Sequence, residues 1–130
     1  SSLVPIKKML LVFLSIAFIS GCAGLNTKAP RVYWGDYSDT LYELKKEPSP
    51  ETIANHKFEL EEIISKSKAW HILPPPGICA ELGKLYLENG DTSHARELMN
   101  QEALHYPESK VLIAMLLNNI ESRNKDRSPE

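Results

Sequence analysis

The sequence predicts an all-α fold of about five helices paired as hairpins, and three observations predict it. Apolar residues recur at helical spacing in the segments from residue 33 onward. Helix boundaries are marked by residue chemistry: Ser49-Pro50-Glu51 has the form of a start, Gly90 that of a stop, and prolines at 74–76 and at 107 interrupt the chain. Small residues at Gly83 and Ala95 fall where the two helices of one hairpin would press together.

The elements follow in order. YWGDYSDTLYELKK, residues 33–46, places Tyr37, Leu41, Tyr42 and Leu44 near one helical face, with Asp36 or Ser38 as its cap. A second helix starts at Ser49, where serine caps and the missing N–H of Pro50 falls at a position that needs none. It carries Ile53, Ala54, Phe58, Ile63 and Ile64 and is expected to end near Trp70. HILPPPG, residues 71–77, ends regular structure, because proline lacks a donor and restricts the residue before it. ICAELGKLYLEN forms a third helix closing on Gly90, which suits the left-handed position after a helix. Asp91 caps a fourth, about 92–105, which stops before Pro107.

The last helix, over 108–122, has seven apolar residues in succession from Val111 to Leu117. An amphipathic surface helix needs fewer, so this one is expected to be deeply buried or docked to something. Residues 123–130 are charged and expected to be a disordered tail.

The chain ahead of these helices reads as an address. Residues 6–21, IKKMLLVFLSIAFISG, hold two lysines, an apolar run from Met9 to Ile19, and two small residues before Cys22. That is the layout of a bacterial export signal, and the run is shorter than the roughly 20 residues a membrane-spanning helix needs. A start at Met9 would delete Lys7 and Lys8, so the true start is expected upstream.

Ile19-Ser20-Gly21-Cys22 resembles the lipobox of bacterial lipoproteins. The resemblance implies that the Cys22 thiol takes a diacylglyceryl group, that the signal 1–21 is cut away, and that the new amine receives a fatty acid such as palmitate. Ala23, where an aspartate would favour retention in the inner membrane, implies transport to the outer membrane, with the domain facing the periplasm. Residues 22–32 then form the lipidated N-terminus and a tether reaching at most about 35 Å, and 33–122 the helical domain. Without Lys7 and Lys8 the 15 basic residues become 13 against 17 acidic, a formal charge of −4, which speaks against nucleic acid as a partner. Cys79 is then the one remaining thiol, so the domain has no internal disulfide and must be held by helix packing.

Residues 79–107 resemble one tetratricopeptide unit. Leu82-Gly83 is followed by Tyr86, Ala95 and Met99, with Pro107 closing the second helix, each in the register of that repeat. Gly83 and Ala95 are small where helices meet, and Leu82, Tyr86 and Met99 fill the groove. Cys79 stands where the repeat has tryptophan, Met99 where it has an aromatic, and Glu102 where it has a second small residue. Leu41, Ala54 and Phe58 repeat the Leu82, Ala95 and Met99 spacing at an offset of 41, as a weaker copy or a chance alignment of two amphipathic hairpins. Two units and a cap fall short of the roughly three repeats such stacks need, a reason to expect a partner or self-association.

YWGDYSDTLYELKK, PPPGICAELGKLYLENG and HYPES together resemble a family of small bacterial lipoproteins of unknown function, over most of 33–117. The Tyr33-Trp34-Gly35 start lacks the family's spacer, and Cys79 stands where tyrosine is common. The resemblance implies company: genes of such proteins often lie beside a lipoprotein resembling the curli secretion channel and a second small lipoprotein. It supplies no catalytic residue and no cofactor.

The remaining candidates have bland readings. No pair among His56, His71, His94 and His105 has the i, i+4 spacing of two ligands on one helix face, and no cysteine cluster joins them. Surface or capping roles are expected of them, and no metal. Cys79 sits at a packing position, where a free cysteine acts as a small hydrophobe. Glu59, Glu61 and Glu62 form an acidic patch whose default is a solvated face. Pro74-Pro75-Pro76 reads as a rigid spacer in preference to a ligand for a proline-binding groove. Tyr33 and Trp34 either pack the first helix or lie against lipid headgroups. Val111 and Met115 lead the run that is either buried or a partner surface.

The function expected is that of a non-enzymatic interaction or assembly factor in an envelope or secretion complex. A pilot or regulator of one client, such as a secretin-like channel or a peptidoglycan synthase, is the alternative. An envelope enzyme is a third class and would need a polar pocket with at least two convergent titratable groups.

Overall fold

A computed structural model describes residues 31–128. Among these residues there are five α-helices and no strand: α1 Tyr37–Lys46, α2 Pro50–Ala69, α3 Ile78–Glu88, α4 Thr92–His105 and α5 Lys110–Arg127, with a 3-10 turn Pro107–Ser109 before α5. The all-α class read from the sequence holds.

The boundaries follow from local chemistry. At α2 the Ser49 hydroxyl accepts from the Thr52 N–H (3.1 Å) and the Thr52 hydroxyl from the Ser49 N–H (2.9 Å), a reciprocal cap with Pro50 just inside. Such a cap contributes about 1 kcal/mol. Both α2 and α3 end in a left-handed residue whose neighbours close the last carbonyls. After α3, Gly90 has φ +85°, and the N–H groups of Gly90 and Asp91 reach Leu87 O and Tyr86 O. After α2 the same pattern places His71 at φ +55°, with His71 and Ile72 donating to Lys68 O and Ser67 O.

The first helix starts at Tyr37 with Asp36 in the cap position, one of the two expected, after the chain turns through Gly35, at φ +49°. Two features of the last helix differ from the sequence reading. The last helix opens through a 3-10 turn, Pro107–Ser109, in which the Ser109 N–H donates to Tyr106 O. It also runs to Arg127, past the end expected at 122, because no glycine or proline intervenes before Pro129.

The helices pack chiefly on their chain neighbours, α1 on α2, α2 on α3, α3 on α4 and α4 on α5. Two core clusters result. Leu60, Ile63, Ile78 and Leu82 form one, flanked by Tyr33, Tyr37 and Ile64. Ala95, Met99, Ile113 and Ile120 form the other, flanked by Ala80, Leu116 and Leu117. Tyr86 packs against both. Each fully buried leucine or isoleucine contributes about 1.5–3 kcal/mol.

The α3–α4 hairpin is the tightest contact, and its closeness depends on Gly83. A Cβ there would lie 3.2 Å from Ala95 O and 3.3 Å from Met99 Cγ. The linker before α3 is fastened to the far end of the hairpin: Tyr106 Oη donates to Pro74 O (2.6 Å), and the buried Glu102 carboxylate accepts from the Gly77 N–H (2.7 Å). Pro74 and Pro75 are buried, so this run is packed into the domain.

The weaker repeat copy is overturned. Ala54 and Phe58 face solvent, Phe58 at 62% exposure, whereas α2 turns His56, Leu60, Ile63 and Ser67 inward. The inward stripe has helical spacing of its own, offset from the one the apolar residues suggested.

Candidate functional site

A polar network joins the first three helices where the sequence suggested only apolar packing. His56 on α2 is 1% exposed and bonded at both ring nitrogens, Nδ1 to Thr40 Oγ1 on α1 (2.8 Å) and Nε2 to Glu81 Oε1 on α3 (2.6 Å). Tyr37 Oη donates to the other Glu81 oxygen (2.8 Å), and its ring packs on the imidazole. Burial, then the hydrogen bond to Glu81 and its charge, push the Tyr37 hydroxyl up to about 12, so it stays a donor at neutral pH. His56 is therefore not the surface or capping residue expected. A search for pairs on one helix could not find this network, because its partners come from three different helices.

Thr40, His56 and Glu81 share the residue types of a hydroxyl–imidazole–carboxylate relay. Thr40 also lines an open cleft of about 320 Å³ with Asp36, Asp39 and Glu43. Three carboxylates beside a hydroxyl oppose any negative charge developing on a substrate, the reverse of an oxyanion site. The arrangement fits holding three helices in register by a satisfied buried network.

The other histidines divide. His94 donates its backbone N–H to Asp91 Oδ1 (3.1 Å), pairs its Nδ1 with Oδ2 (2.6 Å) and stacks on Tyr86. His71 is exposed, and His105 Nδ1 is buried with no protein partner. Among the described residues no group of three or more His, Cys, Asp or Glu side chains could hold a metal ion.

Cys79 is buried at 1% exposure. Its thiol is pushed up to about 12 by burial and by the nearby Glu102 charge, so at neutral pH it is protonated and weakly nucleophilic. Leu82, Ala95 and Met99 are buried as well, and Pro107 begins the turn into α5. Tyr86 is half-buried, donates to Glu61 Oε1 (2.8 Å) and carries the Lys57 ammonium 4.0 Å from its ring centre. Glu59 accepts from the Asp36 N–H, and Glu62 pairs with Lys66 at 3.8 Å. The acidic patch is thus largely engaged within the domain.

Tyr33 packs edge-on against Trp70 with centroids 4.9 Å apart, and its hydroxyl accepts from Lys66 Nζ (3.2 Å). Trp34 leans on Tyr37 and keeps 44% of its surface open. Ile19, Ser20, Gly21 and Cys22 lie outside the described residues.

The apolar run of α5 divides between two faces. Ile113 and Ile120 are buried, and Leu116 and Leu117 half-buried against α4. Val111 is 74% exposed, Leu112 57% and Met115 61%, and on α4 Leu104 is 76% exposed. These are among the most exposed large apolar side chains of the described residues. Among the described residues no helix is long and apolar enough to cross a membrane. Between α2 and α4 lies a separate cleft of about 360 Å³, floored by Leu82, Tyr86 and Leu98 and edged by Glu61, Lys68 and Gln101.

A family model described as a domain of unknown function (DUF4810) matches residues 32–116, which takes in α1 to α4 and the start of α5. The chain belongs to that family, in agreement with the resemblance carried by residues 33–117. No curated protein and no solved structure matches the chain.

Proposed function

We propose that the protein is a lipid-anchored lipoprotein of the bacterial outer membrane. Its helical domain, of tetratricopeptide-like design, faces the periplasm and works without catalysis as an interaction or assembly factor. The observation that carries this reading is the run Ile19-Ser20-Gly21-Cys22 behind two lysines and a short apolar stretch. The domain supports it with an open apolar surface on α5, of the kind that marks protein contacts. The partners implied by resemblance are a curli-channel-like lipoprotein and a second small lipoprotein.

Substituting Cys22→Ser tests the anchor. The variant is expected to accumulate as an uncut precursor, to incorporate no palmitate, and to leave the outer-membrane fraction. Normal processing and membrane retention would overturn the proposal. Gentle crosslinking of the intact protein in membranes is expected to recover a defined envelope protein, and repeated recovery of none would remove the assembly role.

A further inference from the structure

We infer that the end of the domain where Tyr33, Trp34 and Trp70 gather rests on the lipid surface that holds the anchor, with both tryptophans at the level of the headgroups. The inference deepens the anchoring proposed above and rests on it.

The sequence has two tryptophans, and both keep much of their surface in solvent, Trp34 at 44% and Trp70 at 56%. They come from different elements, the segment before α1 and the end of α2, and Tyr33 joins them. It precedes Trp34 in the chain and meets Trp70 edge-on at 4.9 Å. Leu73, just past Trp70, is also exposed. Tryptophan is favoured at a membrane surface, where its apolar body meets acyl chains and its N–H stays hydrated.

Charge at this end agrees. None of the 17 acidic residues lies in 31–35 or in 63–80, the two stretches that meet here. The same stretches carry Arg31, Lys66, Lys68 and His71, all exposed. Carboxylates that reach this end from neighbouring positions are engaged. Glu62 pairs with Lys66, Glu59 accepts from the Asp36 N–H, and Glu102 accepts from the Gly77 N–H. This end therefore complements lipid phosphates, which the acid-rich faces repel.

The chain itself brings this end to the membrane. The described domain begins at Arg31, two positions before Tyr33, and Cys22 lies within a reach of at most about 32 Å. An anchor there holds the aromatic end at high local concentration over the bilayer, so that a weak contact suffices. One lipid chain joined by a basic patch also holds a membrane better than the chain alone.

Because both tryptophans lie here, their emission reads this end directly. The full-length lipidated protein is reconstituted in vesicles of phosphatidylethanolamine and phosphatidylglycerol, with plain or brominated acyl chains, bromine being a short-range quencher of indole. Emission in brominated vesicles is expected to fall to about half of that in plain ones. Flotation with the vesicles reports the anchor separately. Arg31→Glu together with Lys68→Glu should restore most of the emission and leave flotation unchanged. Tyr42→Trp adds a third emitter on α1, near Thr40 and its partner His56, which lies about 21 Å along α2 from Trp70. The quenched fraction should then fall.

Equal emission in the two kinds of vesicle, with flotation intact, would mean that the domain hangs free or that a protein covers this end. That result overturns the inference and leaves the anchor standing. A quenched fraction unmoved by the charge reversals or by Tyr42→Trp would mean contact without a preferred end and overturns it as well. Loss of flotation would remove the anchor and the inference with it.

Discussion

His56 and Phe58 lie two residues apart on α2 and have exchanged the roles their chemistry suggests. His56 is 1% exposed with both nitrogens bonded, and Phe58 is 62% exposed. Replacing His56 by alanine empties core volume and leaves Thr40 and Glu81 each short of a partner, so a loss of about 2–4 kcal/mol is expected. Phe58→Ala removes a ring that rests mostly in water and should stay within about 0.5 kcal/mol. Urea unfolding of the two variants decides between them, and a larger loss for Phe58→Ala than for His56→Ala would mean that α2 faces the other way. The sequence misleads here because phenylalanine at helical spacing outweighs histidine in any apolar pattern. The inward stripe His56, Leu60, Ile63, Ser67 is equally periodic but begins and ends on polar residues. Gly83 and Ala95 were legible because a close helix contact tolerates few residue types, and those types are small.

The starts and stops of the helices were legible wherever a residue type has one dominant use, as at Ser49-Pro50 and Gly90. They were not legible at His71, which takes a left-handed conformation that nothing about histidine announces. The start of α4 adds a pH dependence. The Asp91 carboxyl is held below its ordinary 3.8 by the hydrogen bond from the His94 ring and then by that from the His94 backbone N–H. His94 is held above its ordinary 6.5 by the same ring hydrogen bond and then by the Asp91 charge. The histidine's contribution is complete below its unfolded pKa and is lost as pH rises through the higher folded one. The aspartate's is complete above its unfolded pKa and is lost as pH falls through the lower folded one. The cap is therefore firmest between about pH 4 and 6.5. An NMR titration should place the His94 midpoint above that of the denatured chain, and Asp91→Asn should bring it back. An unchanged midpoint in that variant would show that the pair does not form in solution.

Across the whole domain, contacts between chain neighbours make a row of helices with no single centre. Stability in such a row is a sum of local interfaces, so its ends open before its middle. α1 has no buried residue, and α5 beyond Ile120 is exposed throughout. The α3–α4 hairpin holds Ile78, Cys79, Leu82, Gly83, Ala95, Met99 and Glu102 in the interior and contributes to both core clusters. The order of helices and the hairpin register could be read from the sequence, because they depend on neighbours a few residues apart. Which face of α2 and which half of the α5 run point inward could not, because those depend on how separate helices pack on one another. Amide hydrogen exchange should rank the elements accordingly. Protection is expected to be greatest in α3 and α4, intermediate in α2, and least in α1 and in residues 121–127. The network from Tyr37 and Thr40 to His56 and Glu81 is the chief polar tie that α1 has to the core. His56→Ala should therefore strip protection from α1 before it lowers that of α4. If α1 and α4 lost protection together, the domain would open as one unit, and the view of it as a row of local interfaces would be wrong.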